Sequence, residues 1–150
     1  MKTIKFTDLS NEEELLVEKA FKAAEHSVAS KGHKVGCVIT CENGEFYVGA
    51  TNARTRVIGS TCAERMAVDQ LVYHGNKKPN LCVLVCLLKR NNWTRSSIGT
   101  PCGACLEMFW ELTMKLDMND LDFLCVSWNR KKILKVKLGE LYPRFDAVRR

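Results

Sequence analysis

Residues 61–65 read Thr-Cys-Ala-Glu-Arg and residues 100–105 read Thr-Pro-Cys-Gly-Ala-Cys, and the apolar run Leu81–Leu88 lies between them. Each cysteine-bearing segment opens a stretch with helical periodicity, the first continuing to Tyr73 and the second to Leu116. The apolar run lacks polar alternation, which is typical of a strand covered on both faces. We therefore predict two helices whose first turns lie around one buried strand.

The other predicted elements follow from a capping box, a hairpin turn and strand-like runs. They are a helix from Ser10 that ends near Ser30 to Gly32, strands at Val35–Thr40, Phe46–Thr51, Phe123–Trp128 and Ile133–Val136, and a short helix from about Leu138. The order α-β-β-α-β-α-β-β-α predicts a single α/β domain over residues 1–150, with a five-stranded mixed sheet and helices on both of its faces. Because only about four residues join the last two strands, we expect them to form an antiparallel hairpin.

Composition limits the class of protein and its compartment. Of the 150 residues 46% are hydrophobic, and the formal net charge is +6, as in an ordinary globular protein rather than a disordered one. No apolar run approaches the roughly 20 residues of a membrane-spanning helix, and residues 1–8 show no secretory signal. We expect a soluble cytoplasmic protein whose eight cysteines are free thiols or metal ligands rather than disulfides.

Three of the cysteines have the spacing of a catalytic zinc site. Cys102 and Cys105 lie three residues apart, so their sulfurs point to one place on a helical turn, and Cys62 adds a third thiolate from the other helix. Three protein ligands leave one position of a tetrahedral zinc ion open, as catalysis requires. Glu64 is near enough to move protons without being a ligand, and Arg65 is placed to offset the negative charge of the thiolates. A lone C-x-x-C is weak evidence, so the prediction depends on both segments together.

At these residues the sequence resembles the cytidine deaminase family. Cys62-Ala63-Glu64-Arg65 and Pro101-Cys102-Gly103-Ala104-Cys105 match its two zinc motifs, Val35-Gly36 matches a strand opening, and Glu140–Phe145 is similar to its C-terminal motif. The resemblance implies a three-layer cytidine deaminase-like fold. It also implies zinc-dependent hydrolysis of a free cytosine nucleoside to the uracil nucleoside and ammonia, in a homo-oligomer, most often a tetramer, whose active sites are completed across subunits.

The resemblance also assigns roles around the substrate. The backbone N–H of Ala63 and the carbonyl of Thr100 are expected to hold the base, and Asn52 the sugar. Phe145 corresponds, within one residue, to an aromatic residue that packs on the base from a neighbouring subunit; a core Phe near the chain end is an equally good interpretation.

The sequence departs from the family at the sugar site. The usual N-x-E is Asn52-Ala53-Arg54 here, and arginine cannot accept a hydrogen bond from a hydroxyl. Arg54 and Arg56 would instead suit an anionic group, as in blasticidin S, whose deaminases are related, or in a nucleotide. The alternative is that both arginines are surface residues and Asn52 alone suffices.

Two further functions compete with nucleoside deamination. Eight Lys or Arg residues from Arg130 onward raise the possibility of a polynucleotide or tRNA deaminase, although a basic surface alone is more often solvated, and cysteine rather than histidine at position 62 argues against it. A non-enzymatic zinc module is the other alternative, and it would not need Glu64. Nucleic-acid and membrane partners are therefore not expected. For the pairs Cys37 and Cys41, and Cys82 and Cys86, core thiols are favoured over a second metal site.

Overall fold

The structure is a computed structural model, and it describes residues 1–29, 33–56, 59–75 and 77–142. Its strands are β1 Lys2–Ile4, β2 Val35–Cys41, β3 Phe46–Ala50, β4 Pro79–Cys86, β5 Asp122–Val126 and β6 Ile133–Lys137. Its α-helices are α1 Asn11–Glu25, α2 Ala63–Tyr73, α3 Gly103–Lys115 and α4 Leu138–Leu141, and a 3-10 helix covers Phe6–Asp8. No helix in these four stretches is both long and apolar enough to cross a membrane.

The strands form one mixed sheet in the order β1-β6-β5-β4-β2-β3. Strands β4 and β5 pair in parallel, and the other four neighbouring pairs, β5 with β6 among them, are antiparallel. The prediction of five strands was wrong, because β1 pairs with β6 and makes a sixth. Its three residues are too few to show the alternation by which a strand is recognised in a sequence.

Helices cover both faces of the sheet, as predicted. The α1 side chains Val17, Ala20, Phe21 and Ala24 pack with Val38, Val83 and Leu124 on one face. On the other face α2 and α3 pack over side chains that alternate with those, such as Cys37, Cys82 and Phe123. The central strand β4 is buried on both sides, which explains why its sequence is a continuous apolar run.

Helix α1 begins at the predicted capping box but ends earlier than predicted. The Glu13 N–H donates to Ser10 Oγ at 3.2 Å, and the Ser10 N–H donates to Glu13 Oε2 at 3.0 Å. At the other end, the Ser27 hydroxyl donates to the carbonyl of Val35 at 3.0 Å, and the Val28 N–H donates to that of Thr51. The chain therefore leaves the helix at Glu25 to join the ends of β2 and β3, and residues 30–32 lie outside the described residues.

Two glycines allow the helices to lie directly on the sheet. A Cβ at Gly49 of β3 would lie 2.0 Å from the carbonyl oxygen of Ala63 in α2, and one at Gly36 of β2 would lie 2.0 Å from that of Ala20 in α1. Both neighbours are backbone atoms, which move only if the helix moves. These positions therefore set the distance of α1 and α2 from the sheet.

Substitution of Gly49 with Ala is expected to lower the free energy of unfolding by about 1–3 kcal/mol or more, because the added methyl group overpacks the contact between β3 and α2. Denaturant unfolding of the metal-free protein measures this change. Gly103→Ala is the matched control, since a Cβ at Gly103 meets nothing within 4 Å. Equal stability of the Gly49→Ala variant and the wild type would contradict the close packing.

Candidate metal centre and active site

The sheet brings the first turns of α2 and α3 to the same end of the molecule. Strands β3 and β4 both pair antiparallel with β2, so they run in the same direction. Helix α2 follows β3 and helix α3 follows β4. Cys62 is the N-cap residue of α2 and Cys102 is the N-cap residue of α3, and neither side chain caps its own helix. Both sulfurs are therefore available to a ligand at the positive ends of the two helices.

The thiols of Cys62, Cys102 and Cys105 form a cluster in which the three sulfur atoms lie within 4.8 Å of one another. Sulfurs bound to a tetrahedral zinc ion at about 2.3 Å would lie about 3.8 Å apart, so little movement is needed to bind it. Among the described residues, this is the one group of three or more His, Cys, Asp or Glu side chains close enough to share a metal. The cluster fits zinc in both donor type and donor number.

Cys62 is prepared to act as a thiolate. A hydrogen bond from the Cys105 thiol, with smaller contributions from Cys102 and the charges of Arg65 and Arg90, lowers the pKa of Cys62 to about 6. The same hydrogen bond, together with burial, raises the pKa of Cys105. One thiol of the cluster is thus ionised near neutral pH before a metal arrives, and metals bind thiolates rather than thiols.

Glu64 lies in the first turn of α2, with only 4% of its surface exposed. Burial is the main cause that raises the pKa of Glu64 to about 7, and the negative charge of Cys62 adds to it. Hydrogen bonds from its own backbone N–H and from Cys105, and the charge of Arg90, act in the opposite direction. The carboxyl group can therefore both accept and release a proton near neutral pH.

A cavity of about 170 Å³ opens onto the cluster, and its walls contain Cys62, Cys102 and Glu64. The ends of β2 and β4 contribute the apolar side chains of Val35, Leu84 and Val85. A concave, largely apolar site with a few polar groups is typical of small-molecule binding.

The substrate residues predicted from the sequence are distributed around this cavity. Thr100 lines it, and Ala63 is the first residue of α2, where backbone N–H groups have no partner within the helix. Asn52 exchanges two backbone hydrogen bonds of 2.9 Å with Thr61, the residue before Cys62, but its side chain is not part of the cavity wall. Phe145 lies outside the described residues.

The two predicted arginines lie in different surroundings. Arg54 is exposed, and its backbone N–H donates to Ser60 Oγ at 2.9 Å. It is not among the described residues that line the cavity. Arg65 is also exposed, but its charge contributes to the lowered pKa of Cys62. The proposed interaction of Arg54 with substrate and the proposed effect of Arg65 on the zinc site both stay predictions.

Sequence reasoning missed Arg90 and His33, which both line the cavity. Arg90 belongs to the loop that follows β4, and the sequence identified residues 89–99 only as polar. Arg90 has no fixed spacing from the zinc motifs. The one feature of the sequence that could have identified Arg90 was its position four residues after the end of β4, the buried strand that ends at the cavity.

Comparison with known proteins agrees with this geometry. Residues 10–116 match the model of the family described as the cytidine and deoxycytidylate deaminase zinc-binding region. The chain belongs to this deaminase family. It is thus a zinc-binding deaminase domain, and the three-thiol cluster lies within the matched residues.

Solved cytidine deaminases share the fold of this family member. The enzyme from Burkholderia pseudomallei is 19% identical with a TM-score of 0.71, over 90% of this chain and 98% of that one. The enzyme from Mycobacterium tuberculosis is 20% identical with a TM-score of 0.66, over 91% and 98%. The enzyme from Bacillus anthracis is 17% identical with a TM-score of 0.64, over 91% of both chains.

The remaining cysteines of the deaminase domain that were considered for a second metal site are core thiols. Cys37, Cys41, Cys82 and Cys86 are all at least 97% buried. The sulfurs of Cys37 and Cys82 lie 3.5 Å apart, and burial raises the pKa of both thiols. Cys37, Cys41 and Cys82 belong to the core between the sheet and helices α2 and α3, whereas Cys86 lines the cavity.

Proposed function

We propose that this deaminase hydrolyses a free cytosine nucleoside, cytidine, deoxycytidine or a close analogue, to the uracil nucleoside and ammonia. The observation that carries the proposal is the buried carboxyl group of Glu64, which shares one cavity with the thiol cluster. A purely structural metal site would gain nothing from a buried acid beside it, because an unpaired buried carboxylate costs stability. A catalytic site needs such an acid for proton transfer.

Cys62, Cys102 and Cys105 would hold the zinc ion, and three ligands leave a fourth position for catalysis. When bound, zinc supplies the Lewis acidity that lowers the pKa of a water molecule. The surplus negative charge of three thiolates weakens this effect. The positive charges of Arg65 and Arg90 and the two helix N-termini offset part of that surplus.

Glu64 carries the protons in the proposed reaction. Its carboxylate accepts a proton from the attacking water as the oxygen bonds to C4 of the base, and then donates that proton to ring nitrogen N3. It next takes the proton of the new hydroxyl group at C4 and delivers it to the amino group. The C4–N bond breaks, ammonia leaves, and C4 becomes a carbonyl. The pKa near 7 suits both the accepting and the donating steps.

Backbone groups would orient the base against Glu64. The N–H of Ala63, in the first turn of α2, would donate to the base, and the carbonyl of Thr100 would accept from it. Asn52 would bind the sugar, and its backbone pairing with Thr61 fixes its segment directly before the metal ligand Cys62. Backbone contacts of this kind select the cytosine ring while leaving the rest of the substrate to other residues.

An ultraviolet deamination assay tests this function. The zinc-loaded protein is expected to convert cytidine or deoxycytidine, or one of CMP, dCMP and blasticidin S, with release of one ammonia per base. Free cytosine serves as the comparison that lacks the sugar. Absence of turnover for every compound, with salt-dependent binding to tRNA or single-stranded DNA, would instead favour a polynucleotide substrate.

We also propose that the protein is a cytoplasmic homo-oligomer, with a tetramer favoured. The proposal rests on family membership and on the expectation that Phe145 of one subunit packs against the base bound by another. Light scattering after size exclusion is expected to give four times the mass of one chain. A monomer with full activity would show that each chain completes its own site.

A further inference from the structure

We propose that Arg90, held against the ring of Trp93 in the wall of the cavity, selects substrates that carry an anionic oxyacid group on the sugar side of the cytosine. This inference rests on the proposed function, because it assumes that the base lies against Glu64. It assigns to Arg90 the role that the sequence suggested for Arg54.

Arg90 lies in the wall of the cavity in which the base is expected to bind. It lines the same cavity as Glu64, Cys62 and Cys102, whereas Arg54 is exposed and is not among the described residues of the wall. Glu64 is 4% exposed and marks the buried end of the cavity, while Arg90 is half-buried and His33 is exposed. With the base held at Glu64, the proposal places the sugar on the more exposed side of the cavity, where Arg90 and His33 lie.

The loop holds the guanidinium group of Arg90 in place. Its central carbon lies 4.8 Å above the ring of Trp93, within the range of a cation–π contact. The ring of Trp93 packs in turn on Gly99, where an added Cβ would come within 3.0 Å of it. The Nδ2 group of Asn129 donates to the carbonyl of Arg95 at 3.2 Å, which attaches the loop to the turn after β5. Arg90 is thus positioned before any substrate binds, which reduces the entropy lost on binding.

The acidic groups of the described cavity wall all belong to the reacting end. They are the carboxyl group of Glu64 and the thiols of Cys62 and Cys102. His33, two residues before β2, is brought to the same wall as Arg90 because Leu87 donates its N–H to the carbonyl of Lys34 at 2.8 Å. A planar guanidinium group pairs with either a phosphate or a carboxylate.

The test compares neutral and anionic substrates in variants of two loop arginines. The value of kcat/KM is measured for cytidine, CMP, dCMP and cytidine 5′-carboxylic acid with the wild type and with Arg90→Gln, Arg90→Lys and Arg95→Gln. The wild type is expected to prefer a phosphate or a carboxylate compound to cytidine, and the compound preferred identifies the group. In Arg90→Gln the ratio of anionic to neutral kcat/KM should fall at least about tenfold, mainly through KM, since a charge-assisted hydrogen bond is lost. Arg90→Lys should retain part of the preference, and Arg95→Gln should retain all of it, because Arg95 is exposed and absent from the described cavity wall.

Three results would overturn the proposal. One is a wild-type preference for cytidine over every anionic compound. The second is an equal loss for all substrates in Arg90→Gln together with loss of zinc, which would mean that Arg90 only balances the charge of the thiolates. The third is a selective loss in an Arg54→Gln variant instead.

Binding experiments separate this inference from the proposed function. Calorimetry on a Glu64→Gln background measures affinity for CMP and cytidine without turnover, before and after Arg90→Gln. If the wild type deaminates nothing but this background binds CMP more tightly than cytidine through Arg90, the proposed reaction fails and the assignment of Arg90 stands. Equal binding of the two ligands would overturn the assignment whether or not the protein is a deaminase.

Discussion

Replacement of Glu64 with Gln is expected to lower kcat at least about 100-fold, while the protein still binds one zinc ion per chain. Glutamine has nearly the shape of the buried carboxyl group but cannot accept or release a proton near neutral pH, so the general acid–base contribution is lost. Substrate affinity should change far less, because Glu64 acts on protons rather than on the sugar. Steady-state deamination kinetics and metal analysis of the same preparation measure the two quantities.

The stability of the metal-free Glu64→Gln variant provides a second, independent readout. Burial raises the pKa of Glu64 from its ordinary 4.5 to about 7, so between these pH values the unfolded chain releases this proton more readily than the folded one. Glu64 therefore lowers the free energy of unfolding of the wild type as the pH rises through this interval. Glutamine does not ionise, so the variant lacks this decrease. Denaturant unfolding at pH 5 and pH 8 should show a smaller pH-dependent decrease for the variant.

Glu107→Gln is the matched control, because it makes the same chemical change at an exposed position of α3. It should leave kcat and zinc content near the wild-type values. Wild-type kcat in Glu64→Gln would refute the assigned role, and loss of zinc in that variant would mean that Glu64 is a ligand rather than a proton carrier.

Replacement of Cys102 with Ser is expected to reduce bound zinc to well below one per chain and to abolish deamination. A serine hydroxyl does not ionise at neutral pH and is a much poorer zinc ligand than a thiolate, and the remaining Cys62 and Cys105 provide only two ligands. Metal binding is coupled to folding, so the midpoint of thermal unfolding should fall towards that of the metal-free wild type. Metal analysis and thermal unfolding, with and without a chelator, test this result.

The control for this variant is Cys41→Ser, which changes a 2% exposed thiol of β2 that is remote from the cluster. A buried hydroxyl group there should cost some stability but leave the zinc content unchanged. The comparison separates loss of a ligand from general weakening of the core. A Cys102→Ser protein with full zinc and wild-type stability would show that Cys102 is misassigned.

The part of the fold around the metal could be predicted because its signals are local and strong. The apolar run of β4 and the helix starts at Cys62 and Cys102 each depend on a few adjacent residues, and the sheet then brings them together. The end of α1 was less predictable, because it depends on hydrogen bonds from Ser27 and Val28 to strands that are distant in sequence.

Residues that are brought to the cavity only by tertiary structure could not be identified from the sequence around them. Arg54 occupies a sugar-binding position of the family motif; in the structure it is exposed and is not one of the described residues of the cavity wall, so its contact with substrate stays a prediction. Arg90 instead reaches the cavity from a loop whose path is set by Trp93 and Asn129. A motif fixes the residues that bind the metal, whereas the cavity wall depends on where long loops pack.

The division of the thiols between α2 and α3 has a consequence for biosynthesis. Cys62 precedes β4, and Cys102 and Cys105 follow it, so a ribosome must deliver the chain beyond residue 105 before all three sulfurs exist. Earlier in translation the emerging polypeptide offers one thiolate of the set, which is too few for a tight complex. The complete zinc site can therefore form only after Cys105 has been synthesised, and a shortage of cellular zinc would not act on folding steps that precede it.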